Sequence, residues 1–141
     1  DRHTRQVVAR RALAGVDVRI LMPDHHTDAK PIRQAAHSYY RRLLAAGVRI
    51  YEYQGTMMHT KGVVVDGKWS VIGSANMDVR SKELNQENVI GILDDDFAAQ
   101  MERTFLSDLE RAKEIDRAEW RRRGIGARII ERICVLFAEQ Y

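Results

Sequence analysis

The sequence is short of cysteine, proline and long apolar runs, and each shortage removes a class of explanation. Cys134 is the only cysteine among 141 residues. No internal disulfide framework and no cysteine-based metal site can be built from it, and a reducing, intracellular compartment fits best. No apolar stretch reaches the ~18 residues that a spanning helix needs, and none reads as a secretory leader, so nothing here is expected to cross a membrane. Only two prolines occur, Pro23 and Pro31, and both fall where an element stops or starts. No Gly/Ser/Pro-rich linker or low-complexity tract interrupts the chain before Ile115, so one domain is the default. A one-sided charge is also missing. With 23 Lys and Arg against 20 Asp and Glu the net charge is +3, too small an excess to imply nucleic acid by itself.

What is present is an alternation of helical and strand-like segments, the pattern of an α/β layer fold. Thr4 to Ala14 reads as a helix that the chain enters part-way, without a methionine, and the sequence is expected to be a piece of something longer. Val16 to Met22 alternates apolar and polar residues up to Pro23 and predicts a strand. Pro31 to Ala46 carries Ile32, Ala35, Ala36, Tyr39, Tyr40, Leu43 and Leu44 at helical spacing, with Gly47 just past the end; Tyr39 and Tyr40 fall on its apolar stripe. Val48 to Tyr53 alternates again. The echo of AGVDVRILMP in AGVRIYEYQ predicts two neighbouring strands of one sheet. Lys61–Val65 and Trp69–Ile72 flank Asp66-Gly67, a hairpin turn signal because glycine accepts positive φ. Glu87 to Leu93 reads as a further strand and Phe97 to Lys113 as a helix, with Asp94, Asp95 and Asp96 at its start, as N-caps and the helix dipole favour.

The chemistry concentrates at the hairpin. In His59-Thr60-Lys61 an imidazole and an ammonium stand two residues apart at the start of a strand, on the same side of it. The cation can hold nonbridging phosphate oxygens and stabilise charge in the transition state beside a neutral imidazole able to attack phosphorus. Ser74 and Asn76 repeat the two-residue step at the end of the next strand, where their hydroxyl and amide can converge on the same spot. Gly73 permits close backbone approach. Glu87 is a candidate to accept from the second imidazole nitrogen and fix its tautomer. No metal and no cofactor is needed, because the lysine and the amide supply the electrostatics.

Residues 59–76, HTKGVVVDGKWSVIGSAN, resemble the signature of the phospholipase D superfamily: H-x-K, four residues, Asp, six residues, then G-S-x-N. The flanks SYYRRLLAAGVRIYEYQ and NMDVRSKELNQENV, with Asp78, Arg80, Ser81, Asn85 and Glu87, resemble its cardiolipin synthase branch. The likeness implies a phospholipase D-like mixed sheet flanked by helices. It implies His59 as nucleophile or general acid, Lys61 and Asn76 as phosphate binders, and Ser74 and Glu87 as hydrogen-bond partners. It further implies a two-step exchange through a phosphohistidine, with two such motifs face to face. This chain carries one, so the second H-x-K is expected on an N-terminal half or on a homodimer mate. The C-terminal position of such flanks in two-motif relatives favours the missing half, and for His59 the part of the acid. The expected activity is a phosphatidyltransferase of cardiolipin synthase type. A hydrolytic phospholipase D or metal-independent nuclease is the alternative, and a non-catalytic binding or dimerisation fragment the second. Anionic phospholipids and the membrane surface are the expected partners, with no nucleic acid, on the cytoplasmic side of the inner membrane as a peripheral protein.

Other polar features have plainer explanations. The hairpin turn alone accounts for Asp66 although it is a letter of the motif, and Glu87 could be a solvated strand residue. His25, His26 and Asp28 follow Pro23 in a polar loop without further ligands at a supporting spacing. The catalytic half is expected to occupy residues 1–115 and a basic tail 116–141. In that tail Ile125, Ile129, Ile130, Ile133, Leu136 and Phe137 form one stripe beside the arginines. This is the composition of a helix in a lipid interface, and equally of one docked on its own domain or on the absent half. Gly124 and Gly126 weaken the helix where it starts and could act as a hinge.

Overall fold

A computed structural model describes residues 2–25, 30–74 and 88–138. They form two compact units, one of residues 59–74 and 88–111 and one of residues 2–25, 30–58 and 112–138.

In the second unit α1 (Arg2–Leu13) leads into β1 (Arg19–Pro23), α2 (Lys30–Ala45) and β2 (Arg49–Tyr53), and the chain returns as β6 (Ala112–Glu114), α4 (Arg117–Arg122) and α5 (Ile125–Ala138). The echoed segments are neighbours: β1 and β2 run parallel with Ile20 opposite Ile50 and Leu21 opposite Tyr51. A parallel pair needs a crossover, and α2 supplies it. β6 closes the other edge of β2 antiparallel, with Tyr51 opposite Glu114. It was not expected. The helix predicted over Phe97 to Lys113 stops at Leu109, because Ala112–Glu114 find backbone partners on β2 that outweigh a last helical turn. Arg49 donates from Nε and Nη2 to the two carboxylate oxygens of Glu114, at 3.0 and 2.9 Å.

Central position explains why β2 buries Ile50, Tyr51 and Glu52 in succession rather than alternating. The core is Tyr40, Leu43 and Leu44 from α2 against Val48 and Ile50, with Val8, Ala12, Ile20 and Trp120 around it. Tyr40 is core as its stripe predicted. Half-buried Tyr39 lies under Arg5, whose guanidinium carbon sits 3.5 Å from the ring centre. The tail is two helices rather than one stripe: α4 ends at Arg122 and α5 starts at Ile125, with Gly124 in the break as its helix-weakening character suggests. α5 lies along α2.

The first unit is an antiparallel sheet in the order β3 (Gly62–Val65), β4 (Trp69–Gly73), β5 (Val89–Leu93), followed by α3 (Asp95–Leu109). Asp66 and Gly67 both take positive φ, 53° and 61°, and Lys68 N–H donates to the Val65 carbonyl at 3.1 Å. This is the turn whose twist matches paired strands. α3 covers one face, where Ser70 and Ala98 are fully buried and a side chain at Gly62 would meet Met101. On the other face the indole of Trp69 lies 3.5 Å from where a Cβ on Gly91 would stand. Asp94 caps α3 as expected, its carboxylate accepting from Phe97 N–H at 2.7 Å.

Candidate active site

β3 and β4 fix the backbone on which the motif is mounted. His59 and Lys61 immediately precede β3, and the Lys61 carbonyl accepts a long hydrogen bond, 3.4 Å, from Gly73 N–H at the end of β4. From this anchored position the Lys61 ammonium reaches back over His59. Its Nζ lies 3.1 Å from Nε2 and 3.2 Å from Nδ1, and donates to the His59 carbonyl at 3.1 Å. A cation and an imidazole thus occupy one spot, but both residues precede β3 instead of lying in the strand expected from Lys61, so they meet because the lysine side chain bends back and not through strand alternation. His59 is exposed and Lys61 half-buried, so a phosphoryl group can approach the ring with its nonbridging oxygens inside the ammonium's reach.

Gly73 makes the second half of the motif possible for a steric reason. A Cβ built on it would fall 2.2 Å from the Asn88 carbonyl oxygen and 2.9 Å from Val89 Cα. The close neighbour is thus the β5 backbone. Ser74 follows, and its N–H donates to the Asn88 carbonyl at 3.0 Å while its Oγ accepts from Asn88 N–H at 3.1 Å. The hydroxyl oxygen expected beside His59 is tied to the residue that leads into β5. The structure brings His59 and Lys61 together and places Ser74 as a clasp between β4 and β5. Asn76 and Glu87 lie outside the described residues, as do His26 and Asp28. His25 Nδ1 lies 3.0 Å from the buried carboxylate of Asp24. Among the described residues no three His, Cys, Asp or Glu side chains gather as a metal-binding set.

The second unit contains a buried polar cluster that no motif announced. Glu52, on the central strand, accepts from Arg33 Nη2 at 2.8 Å and lies 2.8 Å from His37 Nε2 and 3.5 Å from the Tyr40 hydroxyl. Burial pushes the Glu52 carboxyl up, but hydrogen bonds from His37 and Arg33 outweigh it and hold the group below its ordinary value. Burial, then the nearby Glu52 charge, push the Tyr40 phenol strongly up. Trp120 meets His37 edge-on with centroids 5.1 Å apart and Tyr40 at 5.0 Å. The only sequence sign of the cluster was Arg33 and His37 one helical turn apart.

The family profile described as "Cardiolipin synthase, PLD-like domain" matches residues 1–109. The chain belongs to that family. Within it, the chain is 37% identical over 127 residues to a cardiolipin synthase A of Erwinia tasmaniensis, covering 90% of this chain and 26% of that protein. It is 42% identical over 120 residues to a cardiolipin synthase 2 of Bacillus cereus, covering 85% of this chain and 23% of that protein. The chain thus spans about a quarter of the length of these curated relatives. Among solved structures, a phospholipase D family member, Nuc of Salmonella typhimurium, superimposes with a TM-score of 0.64 at 20% identity, over 79% of this chain and 72% of that one. That likeness concerns the fold. The mixed α/β class expected from the phospholipase D-like signature is the one observed, with the strands hydrogen-bonded as two three-stranded sheets.

Proposed function

We propose that this chain is one catalytic half, the C-terminal one, of a phosphatidyltransferase of cardiolipin synthase type that moves a phosphatidyl group from one phospholipid to the hydroxyl of another. The observation that carries this reading is the Lys61 ammonium 3.1–3.2 Å from both ring nitrogens of His59, on a motif that belongs to the family. Residues 1–115 form the catalytic part in this reading, and 116–141 a basic extension.

The chemistry runs in two displacements. An imidazole nitrogen attacks phosphorus as the P–O bond to the first alcohol breaks, and a second imidazole gives that alkoxide its proton. The incoming hydroxyl then attacks phosphorus as it loses a proton to the same imidazole, and the N–P bond breaks. One ring cannot be nucleophile and acid in the same step. A partner H-x-K on the remainder of the protein, or on a second copy, therefore supplies the other ring, and His59 is the proton donor. Lys61 and Asn76 neutralise the phosphoryl oxygens, Glu87 orients the imidazole, and Ser74 holds the β4 end in place. The substrates are anionic phospholipids rather than nucleic acid, and the protein works as a peripheral protein on the cytoplasmic side of the inner membrane.

The test is His59→Ala in the full-length protein, assayed with EDTA on anionic phospholipid and on DNA. The expected outcome is a fall in phosphatidyl transfer of about 10²–10⁴-fold, the usual share of a positioned acid or base. Unchanged turnover removes His59 from the mechanism, and cleavage of DNA without action on phospholipid ends the transferase reading.

A further inference from the structure

α5 is mounted with its apolar side outward. Ile125, Ile129 and Ile133 follow one another at helical spacing and are 74, 54 and 47% exposed, with Ile130 beside them at 54%. Glu131, on the other side of the helix, is only 4% exposed. The reversal is held in place by specific contacts. The Arg123 guanidinium donates to Glu131 at 2.6 Å and stacks on Trp120 at 3.2 Å from the ring centre, while Trp120 rests on His37 and Tyr40 of α2. The inward edge of α5 is therefore committed to its own unit, and a strip of isoleucine remains in water. An apolar strip on an exposed helix marks an interaction surface.

Charge indicates the occupant. Residues 117–138 hold six arginines and two glutamates, and Glu131 is already paired with Arg123. Arg117, Arg122 and Arg132 are exposed, Arg132 one helical turn from Ile129. An aliphatic strip edged by arginine matches acyl chains beneath anionic headgroups. At 14 residues the helix is about 21 Å long, too short to cross the ~30 Å hydrocarbon layer, and among the described residues no helix is long and apolar enough to do so.

We infer that α5 lies in the plane of an anionic membrane surface, with Ile125, Ile129 and Ile133 inserted among the acyl chains and Arg122 and Arg132 at the phosphates. The inference rests on the phospholipid reading, for which it supplies the surface that faces the substrate.

The test uses the full-length protein carrying Ile129→Cys as its single cysteine, labelled with an environment-sensitive fluorophore, and vesicles of phosphatidylglycerol and phosphatidylethanolamine. Expected are a blue shift and quenching by brominated acyl chains, both weaker on phosphatidylcholine vesicles, and neither for a label at Arg117→Cys. The triple variant Ile125→Ser, Ile129→Ser, Ile133→Ser should lose about 100-fold in activity on vesicles and keep activity on detergent-dispersed lipid. An unchanged label spectrum on vesicles overturns the inference. So does a label that vesicles leave unquenched together with a triple variant of lower solution mass, which would show a protein partner or second copy on the strip. Insertion of the label in a protein inactive on every lipid preparation supports the inference while defeating the transfer reading.

Discussion

Gly73→Ala should damage the hairpin that carries the site far more than an alanine elsewhere in the same sheet. The new Cβ would stand 2.2 Å from the Asn88 carbonyl oxygen, so the β5 backbone must retreat by roughly 1 Å to reach an ordinary contact. That retreat opens the pair of bonds between Ser74 and Asn88, at 3.0 and 3.1 Å, worth about 1 kcal/mol each. Forcing an extra carbon into a filled space adds about 1–3 kcal/mol. The sum is about 3–5 kcal/mol, a large part of a typical domain's stability of about 5–15 kcal/mol. Gly91→Ala is the control, since the nearest atoms to its Cβ are those of the Trp69 ring, at an ordinary 3.5 Å or more, and it should change stability by less than about 1 kcal/mol. Urea unfolding gives the free energies, and amide hydrogen exchange along β4 and β5 locates the loss. Equal urea midpoints for the two variants would refute the steric account of this motif glycine.

Glu52→Gln keeps the size of the side chain but removes the charge that Arg33 and His37 bind, and should cost about 2–3 kcal/mol at pH 7 by chemical denaturation. The folded Glu52 carboxyl titrates below its ordinary 4.5, so its contribution is complete above that value and lost as pH falls through the folded value. The gap between wild type and variant should therefore close in acid, and a gap independent of pH between 3 and 7 would count against the cluster. Asp94→Ala removes the 2.7 Å cap on Phe97 N–H and should cost about 1 kcal/mol, read as a lower urea midpoint and faster exchange in the first turn of α3.

Much of the fold was legible because local and tertiary preferences agree. The repeated Ala-Gly-Val before two alternating runs became the β1–β2 pair, and Asp66-Gly67 became the turn its positive φ values demand. Where they disagree the sequence misled. The helical pattern from Phe97 runs on to Lys113, yet β2 offers an unpaired edge and takes residues 112–114 as β6. Alternation likewise does not show that β2 is covered on both sides, which is why Glu52 reads as an ordinary polar strand position and is a buried anchor instead.

The candidate site was legible to the extent that it depends on spacing along one short segment. His59 and Lys61 are two residues apart, and no tertiary information is needed to put their heads together. Ser74 depends on a relation between strands. Its two-residue step to Asn76 suggested a hydroxyl turned toward the imidazole, but Gly73 lies so close to β5 that the first group the Ser74 oxygen meets is Asn88 N–H. The same glycine reads differently in the two lights. From sequence it makes room for a ligand against the main chain; in the structure the room is filled by a neighbouring strand. The G-S pair of the motif thus reads as the fastening that keeps β4, and through the Lys61 carbonyl the His59–Lys61 segment, in register. Ser74→Ala tests this. It should lower stability by about 1 kcal/mol, the value of one such bond, and reduce transfer through misplacement, so that stabilising solutes recover activity. A hydroxyl acting directly on phosphate would instead lose activity that stabilising solutes do not recover.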